Sequence, residues 1–217
     1  MTKKLIILFV AIGATCICRA QGIGQPVSSI IETPQAAFSY QTPPLVSIRT
    51  NLVHWAAIVP QISPNLGIEV GIAPKMTVNL VGAYNPFNPK GTDDSNKKLM
   101  HLLIEPEVRY WFCERFNGAS IGLHGIFADY NVSEYDIPLL FDKEHRFDGI
   151  AFGAGVSYNY HWMIGKHFGL EFSIGAGFAY MKYDKFECKR CSEPLGTFSK
   201  SYMGPTKIGI NLIYVIK

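Results

Sequence analysis

The chain has 217 residues and a mass of 24.2 kDa, with 48% hydrophobic residues, 17% charged residues and a mean hydropathy of +0.12. So apolar a composition excludes an intrinsically disordered chain. Aromatic residues at 13% and 20 glycines point away from a helical bundle, which would draw on Ala, Leu, Glu and Lys.

Lys3 and Lys4 precede an apolar run from Leu5 to Ala14, and Cys18-Arg19-Ala20 offers small residues where a signal peptidase reads. Residues 1–20 are therefore expected to be a cleaved secretory signal, with Gln21 as the new N-terminus. Lipidation at Cys16 is disfavoured, because Gly13 stands where such a motif wants Leu. Beyond residue 20 no stretch approaches the roughly 18 apolar residues of a spanning helix. Loss of Lys3, Lys4 and Arg19 takes the 20 basic residues to 17, equal to the 17 acidic ones. A neutral mature chain argues against nucleic acid as a partner.

Residues 21–45 are rich in Pro, Ser, Thr and Gln and are expected to be a flexible periplasmic leader, and residues 46–217 break into period-2 segments, the signature of strands. Ile48, Thr50 and Leu52 oppose Arg49 and Asn51, and Leu66 to Ile72 oppose Gly67, Glu69 and Gly71. Met76, Val78 and Leu80 oppose Thr77 and Asn79, and Leu102 to Phe112 oppose Glu105, Glu107 and Arg109. Ile121, Leu123 and Phe127 oppose Ser120, Gly122 and His124, while Ile150 to Trp162 oppose Gly153, Gly155, Ser157 and Asn159. Phe168 to Tyr180 oppose Glu171, Ser173, Gly175 and Gly177, and Ile208 to Ile216 oppose Lys207, Gly209 and Asn211. That makes eight strands.

A soluble sandwich would turn the polar face to water, and a solvated face rich in glycine is an odd choice. Turned inside out, large apolar residues face lipid and a narrow lumen holds small residues and a few charges. The expected fold is an all-β, eight-stranded antiparallel transmembrane up-and-down barrel. Arg49, Arg109 and Lys207 would pair in the lumen with Glu69, Glu105, Glu107 and Glu171, because buried charges must be paired. His124 joins this polar network. Tyr84, Tyr110, Phe112, Tyr158, Tyr160, Trp162, Phe168, Tyr180 and Tyr214 lie near strand ends, as aromatic girdles do.

The connections alternate in length. Short ones fall near Pro74, Cys113 to Gly118 and Ile164 to Lys166; longer ones span 58–65, 85–100, 131–148 and 184–204. Tight periplasmic turns and longer external loops produce this alternation, and an even strand number puts both termini in the periplasm. The last strand, Lys207 to Tyr214, is similar to the C-terminal signal read by the barrel-assembly machinery, although Leu212 is not aromatic and Ile216-Lys217 replaces a terminal Phe.

Arg49-Thr50-Asn51-Leu52, Pro64-Asn65-Leu66-Gly67-Ile68-Glu69, Pro106-Glu107-Val108-Arg109-Tyr110-Trp111, Phe116-Asn117-Gly118 and Gly204-Pro205-Thr206-Lys207 together resemble a family of uncharacterised Bacteroidota outer-membrane barrels. That family carries only a domain-of-unknown-function label. The resemblance runs from about residue 46 to the C-terminus. It implies a small barrel in the outer membrane, and some members resemble accessory proteins of fimbrial gene clusters. It supplies no catalytic residues.

Motifs for metalloproteases, nucleophile elbows and phosphate-binding loops are missing. Gly153-Ala154-Gly155 and Gly175-Ala176-Gly177 fall in mid-strand, where they thin the wall. Ser120, His124 and Glu107 could share the lumen, but a triad buried there could not reach a lipid ester, so they read as a polar network. His54 and His161 lie near strand ends, where isolated histidines are interfacial or solvated. Cys188-Lys189-Arg190-Cys191 fits a loop disulfide in an exported chain or two free thiols. A zinc site would need further ligands nearby. Cys113 has no assigned role. Lys182, Lys185, Lys189, Arg190 and Lys200 make the last external loop basic, suited to lipopolysaccharide phosphates.

The expected function is a non-enzymatic small outer-membrane barrel with a structural, anchoring or surface-assembly role, associated with fimbriae by the resemblance. Expected partners are outer-membrane lipid and lipopolysaccharide, the barrel-assembly machinery, and fimbrial or other cell-surface proteins. No cofactor, metal or nucleic acid is expected. The alternatives are an outer-membrane lipid-modifying enzyme and a secreted soluble barrel that binds a small apolar ligand.

Overall fold

The computed structural model describes residues 44–55, 63–85, 97–135, 141–187 and 193–216. The expected signal peptide, nearly all of the leader, and Cys188 and Cys191 lie outside these residues.

Eight strands follow in order: β1 (Val46–Asn51), β2 (Asn65–Ala73), β3 (Met76–Asn85), β4 (Lys98–Trp111), β5 (Gly118–Ser133), β6 (His145–Met163), β7 (Phe168–Glu187) and β8 (Pro194–Ile216). Each pairs antiparallel with the next, and β8 returns to β1, closing the sheet into a barrel. Closure leaves the bottom of the wall without an edge. One helical turn, α1 (Leu52–Trp55), follows β1 directly. The Asn51 side chain opens it, its Oδ1 accepting the Val53 N–H at 3.0 Å, which satisfies one of the donors a helix start leaves unpaired.

The short connections match the sequence reading. β2 and β3 are joined by residues 74–75, β4 and β5 by 112–117, and β6 and β7 by 164–167. In the middle one, Phe116 (φ 61°) and Gly118 (φ 79°) take the left-handed backbone that makes so tight a reversal. Lys75 Nζ donates to the Phe112 carbonyl at 3.2 Å, tying two neighbouring turns together. We refer to this as the turn end of the barrel, and to the other as the loop end.

Two of the long connections are shorter than the sequence reading placed them. β5 continues to Ser133 and β6 begins at His145; β7 continues to Glu187 and β8 begins at Pro194. Residues 131–133 and 145–148 of the first, and 184–187 and 194–204 of the second, are therefore strand. The reason is a reversal in the sense of alternation. Over most of the wall the apolar residues point outward, as with Phe152, Phe172, Ile174 and Phe178. Near the loop end Tyr130, Val132, Phe147 and Met181 turn inward and are buried, while Asp129 and Lys182 beside them are not. A search for apolar-out strands stops where the pattern inverts.

The lumen is consequently filled at three levels. At the turn end lie Trp111, Phe116, Ile213 and Val215, all fully buried, with the Trp111 and Phe116 rings 5.9 Å apart. The middle is charged. At the loop end Leu99, Tyr130, Val132, Tyr135, Phe147, Ala151 and Met181 form an apolar core, with Phe141, Tyr183 and Tyr202 packed on it. The strands β4 to β8 that build this upper core are 14 to 23 residues long, against 6 to 10 for β1 to β3. One side of the wall is tall and the other short.

Candidate functional site

Antiparallel register brings polar residues from all eight strands into the middle of the lumen. Ser47↔Glu69, Thr77↔Arg109 and Asn79↔Glu107 are direct cross-strand partners, and so are Glu107↔His124, Gly122↔Ser157 and Glu171↔Asn211. Because strand residues alternate between faces, one inward polar residue commits its i±2 neighbours to the same interior. Closure of the barrel then collects what the separate strands supply.

Two arginines and three carboxylates form the centre. Arg49 of β1 pairs with Glu69 of β2 and, at 2.7 Å, with Glu171 of β7. Arg109 of β4 lies 2.7 Å from Glu107, 2.7 Å from Glu171 and 3.4 Å from Glu69. Glu69 and Glu171 are thus each shared by both guanidiniums. Lys207 of β8 extends the network, pairing with Glu105 and, at 2.9 Å, with Glu107. The seven charged residues expected in the lumen meet there.

Neutral donors satisfy the remaining lone pairs. Glu107 also accepts from Ser157 Oγ at 2.5 Å, from Asn79 Nδ2 at 3.3 Å and from Asn159 Nδ2 at 3.4 Å. Glu171 accepts from Asn211 Nδ2 at 3.1 Å, and Glu69 from the Thr77 hydroxyl, which itself accepts the Trp111 indole N–H at 2.9 Å. Charges in a dry interior are tolerable only when paired and hydrogen-bonded in this way. Alternation places these Asn, Ser and Thr residues on the inward face, but nothing in the sequence says which of them reaches a carboxylate.

The glycines of the inward face make room for these side chains. A Cβ at Gly122 would meet Ser157 Oγ at 2.7 Å and crowd the Glu107 carboxylate; one at Gly67 would sit 2.7 Å from Arg49 Cγ. Cβ atoms at Gly155 and Gly175 would press on the His124 ring, 2.7 and 3.0 Å from its Cε1. Wall glycines and lumen-crossing side chains therefore occur together.

Arg115 is a buried charged residue that sequence reasoning missed. It lies in the β4–β5 turn, outside any alternating segment, yet its side chain is buried and folds under Gly71, where a Cβ would meet Arg115 Cδ at 3.0 Å.

The arrangement does not assemble a serine-type hydrolytic triad. Ser120 and His124 both face inward on β5 but are four residues apart, roughly 13 Å along a strand. The Ser120 hydroxyl has no hydrogen-bond partner among the described residues. His124 Nε2 instead engages Thr206 Oγ1 at 2.9 Å, and Glu107 is bound by Arg109 and Lys207. A nucleophile, base and orienting acid must touch in sequence, and these do not. Among the described residues no group of His, Cys, Asp and Glu is placed to hold a metal ion. His54 follows β1 in α1, and His161 is buried against Trp111, with ring centroids 6.2 Å apart. The latter corrects the expectation of an interfacial or solvated histidine; the reason is its inward register opposite Glu171.

Cys113, in the β4–β5 turn, is disulfide-bonded, and every other cysteine of the chain lies outside the described residues. Of the basic loop residues, Lys182, Lys185 and Lys200 belong to β7 and β8, while Lys189 and Arg190 fall outside the described residues.

No curated protein and no solved structure matches the chain significantly. A family model described as a protein of unknown function, DUF3575, matches residues 29–216, which includes every strand of the barrel and every charge of its lumen. The chain belongs to the DUF3575 family.

Proposed function

We propose that the protein is a small outer-membrane barrel whose role is non-enzymatic: structural, anchoring or assembly-related at the cell surface. One observation carries this reading. Around the eight strands the outward face is large and apolar while the inward face is charged, the reverse of a protein folded for water. Ile174 is 61% exposed and Leu123 67% exposed, yet Glu69 and Glu171 are fully buried. Exposed apolar surface on this scale needs a non-aqueous partner.

The height of the belt fits a membrane. On β7 the outward residues from Phe168 to Phe178 are apolar, and at Lys182 they become charged. Ten residue steps at about 3.3 Å each, inclined at roughly 40°, rise about 25 Å, the thickness of the apolar band of such barrels. Beyond that height the alternation takes the soluble sense, apolar inward and polar outward, as a segment standing in water requires. The short turns then lie on the periplasmic side and the tall wall projects outward. Outer-membrane lipid and lipopolysaccharide surround the belt, the barrel-assembly machinery inserts it, and fimbrial or other cell-surface proteins are the class of partner the projecting end would meet.

The filled lumen argues against a pore, and the separation of Ser120 from His124 argues against a serine-type lipid hydrolase. A soluble barrel for an apolar ligand would line its interior with apolar residues rather than four carboxylates. Membrane fractionation tests the proposal. The chain is expected to stay with outer membranes through alkaline extraction and to migrate faster on a gel unheated than boiled. Recovery from the periplasm without detergent would overturn it.

A further inference from the structure

We draw no further inference here: the strongest candidate, the cluster of His54 in α1 with His101 and Glu105 of β4 at the loop-end side of the charged lumen, carries nothing, because among the described residues no group of His, Cys, Asp and Glu is placed to hold a metal ion and, with residues 56–62 outside the described residues, nothing in the structure shows what covers it.

Discussion

Arg49 is the residue on which closure of the barrel depends most heavily. β1 is the shortest strand, held by six register positions to β8 and four to β2. From it the Arg49 side chain reaches Glu69 on the neighbouring β2 and, past β8, Glu171 on β7. Replacing it with methionine keeps much of the volume and removes the charge. Glu69 and Glu171 would then share Arg109 alone, which lies 3.4 and 2.7 Å from them. Removing one partner of a buried ion pair costs about 3–5 kcal/mol, chiefly because the other charge is left uncompensated. With a urea m value of about 2 kcal/mol/M, the unfolding midpoint of R49M should fall by about 2 M. The assay is urea titration of the refolded full-length protein in detergent or liposomes, read by heat-modifiable migration and tryptophan fluorescence. Adding E171Q to R49M removes one stranded carboxylate while keeping its shape, so the double variant should be more stable than R49M itself. A loss below about 1 kcal/mol in R49M, or a double variant whose losses simply add, would refute the reasoning. The first would mean that solvent or movement relieves the stranded charges; the second would mean that Arg49 and Glu171 are not coupled.

Three further outcomes follow from other parts of the molecule. Ile174→Lys, at an outward position midway up β7, should cost about 2–4 kcal/mol in liposomes, whereas in a water-soluble barrel it would be neutral within about 0.5 kcal/mol; the same titration distinguishes them. Gly122→Ala should cost about 2 kcal/mol, because its neighbours Glu107 and Ser157 are anchored to each other, while Gly82→Ala, where an added Cβ meets nothing within 4 Å, should be neutral or stabilising by up to about 1 kcal/mol. At the loop end, burial alone would raise the Asp142 carboxyl, but the hydrogen bond and charge of His145 at 2.7 Å, with Lys185 beyond, hold it below the usual aspartate range. A depressed carboxyl contributes stability above its unfolded pKa and loses it as the pH falls through the lowered folded value. Asp142 is half exposed, so Asp142→Asn should cost less than about 1 kcal/mol at neutral pH, and the difference should vanish in acid; a constant difference down to strongly acid pH would contradict the pairing.

Much of the barrel is legible in the sequence because a strand's side-chain period is two and the burial contrast is large. Leu66 to Ile72 against Gly67, Glu69 and Gly71 already separates two faces, and the three short turns follow from where the alternation breaks. The seven charges from Arg49 to Lys207 could be assigned to one interior for the same reason. Their pairing could not, since it depends on register between strands far apart in the chain, 122 residues for Arg49 and Glu171. Arg115 was hidden because a turn residue has no periodicity, and only the folded turn aims it under Gly71. The upper strands were hidden because Tyr130, Val132, Phe147 and Met181 reverse the sense of alternation, and a one-sense pattern reads a reversal as a loop. The amino-acid sequence by itself determined the strand faces, because alternation is a local property of the backbone. Only the tertiary structure decided which charges meet and how far each strand extends, because those depend on the height and register of neighbours that the chain reaches late.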